Sequence, residues 1–101
     1  MSMNLETEFT AKLWKANASA SWYFVSLPVE TSTWIKSYQT RRAGFGSVRV
    51  EVEVGSCKWK TSVFPDSKLG TYVLPVKKQV RQAEGLDDGD EVTVQLGFQP
   101  E

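Results

Sequence analysis

A chain of 101 residues and 11.4 kDa has room for one folding domain and not two. At that size close to two-thirds of the extended surface is buried on folding, so the core needs no disulfide or metal staple. Twelve basic side chains balance twelve acidic ones, and with no histidine and one cysteine the composition excludes imidazole catalysis, an internal disulfide and most metal sites.

The start of the chain, Met1-Ser2-Met3-Asn4-Leu5-Glu6, turns acidic where a secretory signal would turn apolar. The longest apolar run, Trp22 to Val25, is four residues, far short of the roughly 20 that span a bilayer. With the lone Cys57 these features lead us to expect a bacterial-type protein of the reducing cytoplasm with no membrane partner, in which Asn17-Ala18-Ser19 has no role as a sequon.

Period-two alternation dominates the chain. Phe9, Ala11 and Leu13 predict a first strand over residues 6 to 14. Ser21 to Leu27 is apolar on both faces, Trp22 and Phe24 against Tyr23, Val25 and Leu27, which suits a central strand or one with its outer face covered by a helix. After Pro28, Thr31 or Ser32 is placed to cap a short helix carrying Trp34, Ile35 and Tyr38. Val48, Val50, Val52 and Val54 then alternate with Arg49, Glu51 and Glu53, the clearest strand of all. Val54-Gly55-Ser56-Cys57 reads as a hairpin turn into a strand over 57 to 63, with Cys57, Trp59, Thr61 and Val63 inward. Gly70 to Leu74 predicts a fifth strand. Pro75 opens a second helix whose apolar face is Val76, Val80 and Ala83, ended by Gly85 in a left-handed stop with Leu86 beyond it. Asp87-Asp88-Gly89-Asp90 turns the chain into a last strand, Glu91 to Leu96, with Val92, Val94 and Leu96 inward. The expected architecture is all-β: one domain over 1–101, core about 6–97, built as a six- or seven-stranded closed or nearly closed barrel with two short helices, because closure removes exposed sheet edges.

Trp22-Tyr23-Phe24-Val25-Ser26-Leu27-Pro28, Gly44-Phe45-Gly46-Ser47-Val48-Arg49-Val50 and Leu74-Pro75-Val76-Lys77-Lys78-Gln79-Val80-Arg81 resemble the small bacterial barrels known as a domain of unknown function. Lys60 to Pro65 and Gly85-Leu86 to Val92 match as well, so the resemblance runs from about Phe9 to Leu96. In some proteins that domain is joined to a YdeI/OmpD-associated, bacteriocin-protection-type segment, which this sequence lacks. The resemblance implies a β-barrel and brings no catalytic residues. Leu74 to Leu96 also resembles the swapped-hairpin half-barrels of AbrB-type regulators, which implies DNA binding. Those are dimers of short chains, whereas this chain has strands enough to close a barrel alone.

Candidate chemistry is sparse. Cys57 lacks the histidine that activates a nucleophilic thiol, and its inward strand position suits a structural role. Asp87, Asp88, Asp90 and Glu91 lack the alternate-residue spacing of a calcium loop and suit a solvated turn. No catalytic residue, metal ligand or cofactor is expected.

Charge is more informative, because the net zero is a cancellation. Residues 36 to 81 carry Lys36, Arg41, Arg42, Arg49, Lys58, Lys60, Lys68, Lys77, Lys78 and Arg81 against Glu51, Glu53 and Asp66, a net +7. Residues 82 to 101 are −6 and residues 1 to 35 are −1. Lys77 and Lys78 fall in the first turn of the second helix, where the helix dipole disfavours cations. With Arg81 they suit either an anion such as phosphate or carboxylate, or a plain solvated face with Arg81 and Glu84 paired. Arg41, Arg42 and Phe45 suit either a flexible loop gripping an anionic or planar ligand or a simple helix-to-strand connection. Core packing accounts first for most of the twelve aromatics, including Phe9, Phe24, Trp34 and Trp59, while Trp14 and Tyr23 are out of phase with their strands. The expected function is a non-catalytic module binding an anionic small molecule or partner through Arg41, Arg42, Phe45, Lys77, Lys78 and Arg81. A nucleic-acid binder of AbrB type and, behind it, an enzyme using Lys, Tyr or carboxylate chemistry are the alternatives.

Overall fold

The computed structural model describes residues 5–16, 22–37 and 46–98. Their alternating segments form six strands, β1 (Leu5–Lys15), β2 (Tyr23–Ser26), β3 (Val48–Val54), β4 (Cys57–Asp66), β5 (Thr71–Pro75) and β6 (Glu91–Phe98). Two helices are interleaved, α1 (Val29–Ser37) after β2 and α2 (Lys78–Glu84) after β5. The strands close into an antiparallel barrel in the order β1-β2-β5-β4-β3-β6. Closure rests on the long ladder between β1 and β6, from Leu5 opposite Phe98 to Lys12 opposite Glu91.

The interior is filled by one parity of each strand: Phe9 and Leu13, Val25, the four valines of β3, Val63, Tyr72 and Leu74, and Val92, Val94, Leu96 and Phe98. Each buried leucine or valine contributes roughly 1.5–3 kcal/mol of transfer free energy. Helix α1 adds Ile35 to this core and sets Trp34 edge-on against Phe98, with centroids 5.2 Å apart. Thr31 and Ser32 do not cap α1. The helix begins at Val29, the Ser32 N–H donates to the Pro28 carbonyl at 2.9 Å, and both side chains are buried. Tyr38 lies outside the described residues.

Antiparallel pairing brings the end of β1, the start of β2, the β3–β4 turn, the end of β5 and the start of β6 to one rim. Helix α2 sits on that rim. Val76 and Val80 anchor it in the core, but Ala83 is exposed, because the chain is still extended at Val76 and Lys77 and the helical period starts only at Lys78. Gly85 ends the helix at φ 64°, ψ 38°, and the Leu86 N–H donates to the Arg81 carbonyl at 2.9 Å, closing the left-handed stop. The acidic turn that follows is tied to β1: the Gly89 N–H donates to the Leu13 carbonyl, the Leu13 N–H to the Asp90 carbonyl, and the Lys15 N–H to Asp88 Oδ1. The carboxylates of Asp87, Asp88 and Asp90 thus accept backbone N–H groups, and no metal-holding cluster occurs among the described residues.

Glu84 fastens α2 to the β3–β4 turn. Its Oε2 accepts the Ser56 N–H at 3.1 Å, the Ser56 hydroxyl at 2.8 Å and the Cys57 thiol at 3.7 Å. Gly55 beneath it has φ 57°, a backbone strained for other residues, and an added Cβ would displace the Glu84 carboxylate from Ser56. The Ser56 hydrogen bonds hold the Glu84 carboxyl below its ordinary value. A lowered carboxyl stabilises the fold above the ordinary carboxylate range and loses that contribution as pH falls through its folded-state value. Acid-induced unfolding followed by circular dichroism should therefore lose part of its pH dependence below about pH 5 in Glu84→Gln, which keeps the shape and removes the titration.

Candidate functional site

A groove that includes Lys77 opens on the α2 rim, between β4 and β5. These strands pair over only three positions, Phe64 with Val73, Pro65 with Tyr72 and Asp66 with Thr71, and then part. Pro75 is the reason. In an antiparallel strand successive residues bond to opposite neighbours. Leu27 N–H to the Tyr72 carbonyl and Val76 N–H to the Tyr23 carbonyl place the even-numbered residues of this segment on the β2 side. Pro75 therefore faces β4 and has no N–H to donate, so the β4–β5 ladder cannot continue past it.

Trp22, Tyr23, Trp59, Lys60, Thr61, Pro75, Val76 and Lys77 line the resulting space of about 500 Å³. Two of its aromatic rings carry cations. Lys77 Nζ lies 5.8 Å from the centre of the Trp59 ring, and the Arg81 guanidinium carbon lies 3.8 Å from the centre of Tyr23. Arg81 Nε also donates to the Val76 carbonyl at 3.3 Å, and Lys15 Nζ lies 5.9 Å from the same Tyr23 ring. Lys77 is the residue that precedes α2, and its carbonyl accepts the Arg81 N–H at 3.1 Å.

The candidates separate accordingly. Lys77 lines the groove, and Arg81 packs on Tyr23, one of the lining residues, without lining it itself. Lys78 is exposed and is not part of the lining. Arg41, Arg42 and Phe45 lie outside the described residues. The pairing imagined between Arg81 and Glu84 gives way to Glu84 bonded to the β3–β4 turn and Arg81 stacked on Tyr23.

The remaining described cations disperse. On the outer face of β3 and β4, Lys58 stands opposite Glu53, while Lys36 and Lys68 belong to the far rim; Lys60, opposite Glu51, also borders the groove. Hollows on the outer face of β1, β3 and β6 are lined by Glu6, Glu8, Glu51 and Glu53 with Lys58, and by Glu6 and Glu51 with Arg49 and Lys60. Among the described residues, the groove beneath α2 has lysines in its lining and no carboxylate.

Two aromatic assignments are corrected. Phe24 points outward, in contact with Trp14 and Trp22, and it is Tyr23 that shares the inward parity of Val25 and packs against the core. Both parities of β2 are apolar, so alternation alone has no means of choosing between them. Trp14 does lie on the outer face, its indole N–H donating to the Ser26 hydroxyl at 2.9 Å. Sequence reasoning did not single out Trp22, Lys15, Thr61 or Pro75 as site residues. The one available signal was Pro75 near the end of a strand, which marks where a ladder stops.

Cys57 is half-buried and its thiol is the third donor to Glu84. No helix among the described residues is long and apolar enough to cross a membrane.

A family model described as "Domain of unknown function (DUF1905)" matches residues 9–96. No curated protein matches the chain.

Proposed function

The chain belongs to the DUF1905 family, a domain of unknown function, and from its groove we propose a non-catalytic binding module that receives the anionic group of a small molecule. One observation carries this reading. Lys77 rests over Trp59 and Arg81 over Tyr23, two of the aromatic residues of a groove whose described lining holds two lysines and no carboxylate. Cations resting on aromatic rings are oriented before a ligand arrives, which reduces the ordering cost of binding. The described lining of the groove holds two lysines, a threonine and the Tyr23 phenol but no carboxylate or thiol, which favours receiving an anion over acid–base chemistry.

The experiment is a thermal-shift screen of phosphorylated and carboxylated metabolites. Ligand at 100 times its dissociation constant adds about 2.7 kcal/mol of stability, enough to move the midpoint by several degrees. Lys77→Ala is expected to weaken a hit about tenfold or more, the range of a charged hydrogen bond. Lys78→Ala should leave affinity within about twofold, since an exposed charge outside the groove acts only through a screened field. A panel that moves no midpoint overturns the reading.

A further inference from the structure

We infer that the ligand of this groove carries a planar heterocycle beside its anionic group, a nucleobase on a sugar phosphate, with Trp22 as its stacking surface; the inference rests on reading the groove as an anion site. Trp22 is 63% exposed, a large indole left in water beside a well-filled core. It is nevertheless held in place. Its ring lies 10° from parallel with Phe24 at a centroid distance of 6.3 Å, and Phe24 is backed by Trp14 at 5.2 Å. The Trp14 indole is in turn fixed by its hydrogen bond to Ser26. Three rings thus form a row on the outer face of β1 and β2, across from Pro75 on β5.

The row ends at the groove, because Trp22 lines it together with Tyr23, Trp59, Lys60 and Lys77. A stacking face and a pair of ammonium groups therefore border one space of about 500 Å³, within the range of small-molecule sites. An aliphatic phosphate or carboxylate would use the lysines and leave the indole unused. A nucleotide uses both, since every base has a π-face and its phosphate meets the cations. Stacking does not depend on base identity, so little base preference is expected. Two sources share this chemistry, a free mononucleotide and a nucleotide within a single strand.

The test is a titration of the full chain at low salt, followed by tryptophan fluorescence and calorimetry, with thymidine 5′-monophosphate, deoxyribose 5-phosphate and a short thymidylate oligomer. The monophosphate is expected to bind about 5- to 150-fold more tightly than the sugar phosphate, the worth of one stacked base. Trp22→Ala should abolish that difference while leaving sugar phosphate affinity unchanged, and exposure at this position lets the variant fold. Oligomer affinity above that of the monophosphate, with a steep salt dependence, identifies a strand as the source, and equal affinities identify the mononucleotide. Equal binding of monophosphate and sugar phosphate, insensitive to Trp22→Ala but lost in Lys77→Ala, overturns the inference and leaves the anion site standing. Failure of all three probes to bind overturns the inference outright, and the metabolite panel then decides the anion site separately.

Discussion

Leu74→Ala is expected to remove about 2–5 kcal/mol of folding stability, the range for emptying a fully buried leucine site. Leu74 sits one residue from the end of β5 with no exposed surface, directly opposite Val25, which is equally buried. Leu74 pairs with β2 and the adjacent Val73 with Phe64 of β4, so the backbone around the site is held and has little freedom to collapse into the space left behind. A domain of this length has about 5–15 kcal/mol in total, and the substitution takes a large share of it. Urea unfolding should show a lower midpoint with an unchanged slope. Leu69→Ala, at a side chain 51% exposed in the β4–β5 turn, should stay within about 0.5 kcal/mol. A Leu74 loss below about 1 kcal/mol would refute the packing described.

Ser32→Ala is expected to cost about 1–3 kcal/mol, the penalty for leaving a buried donor unmade. The Ser32 hydroxyl oxygen accepts the Tyr72 N–H at 3.0 Å, both residues being buried. Strand β2 ends at Ser26, and although the Leu27 N–H still donates to the Tyr72 carbonyl, the chain then turns into α1. The Tyr72 N–H, on the same side of β5, would have gone to a continuing strand. Ser32 replaces that strand, pinning α1 to the sheet. Hydrogen exchange at the Tyr72 amide should accelerate more than at the Val94 amide, which lies on another strand. Uniform acceleration would instead mean a general loss of stability with no local role for the hydroxyl. Burial also pushes the Tyr72 phenol above its ordinary value, so this part of the core stays neutral through the physiological range.

These residues mark where the sequence was legible. Strands β3 and β6 could be read with their inward faces because one parity is valine, leucine or phenylalanine and the other is mostly charged or polar, and a pleated strand has only two faces. The stop at Gly85 was readable for a similar reason: left-handed backbone belongs to glycine, and Leu86 supplies the accompanying contact. Such signals are local. Ser32 was legible as a residue that makes hydrogen bonds, but its partner lies 40 positions away, and a local reading therefore made it a helix cap. Ala83 fell on an apolar period that assumed a helix from Pro75, one that the extended backbone at Val76 and Lys77 does not allow.

The same division holds for the groove. By itself the sequence determined an all-β chain of alternating strands, a basic middle and acidic end, and chemistry without imidazole, because composition and period-two spacing are properties of neighbouring residues. Tertiary structure alone decided the rest. Closure through β1 and β6 set six strands, the parting of β4 from β5 at Pro75 opened the groove, and outward rotation of Phe24 set Trp22 at its edge. Of the ten cations between residues 36 and 81, the fold brings Lys77 and Arg81 onto aromatic faces and sets Lys58 and Lys60 opposite glutamates. The physical reason is range. Charges meet through space, and which charges meet depends on strand order, which no local pattern encodes.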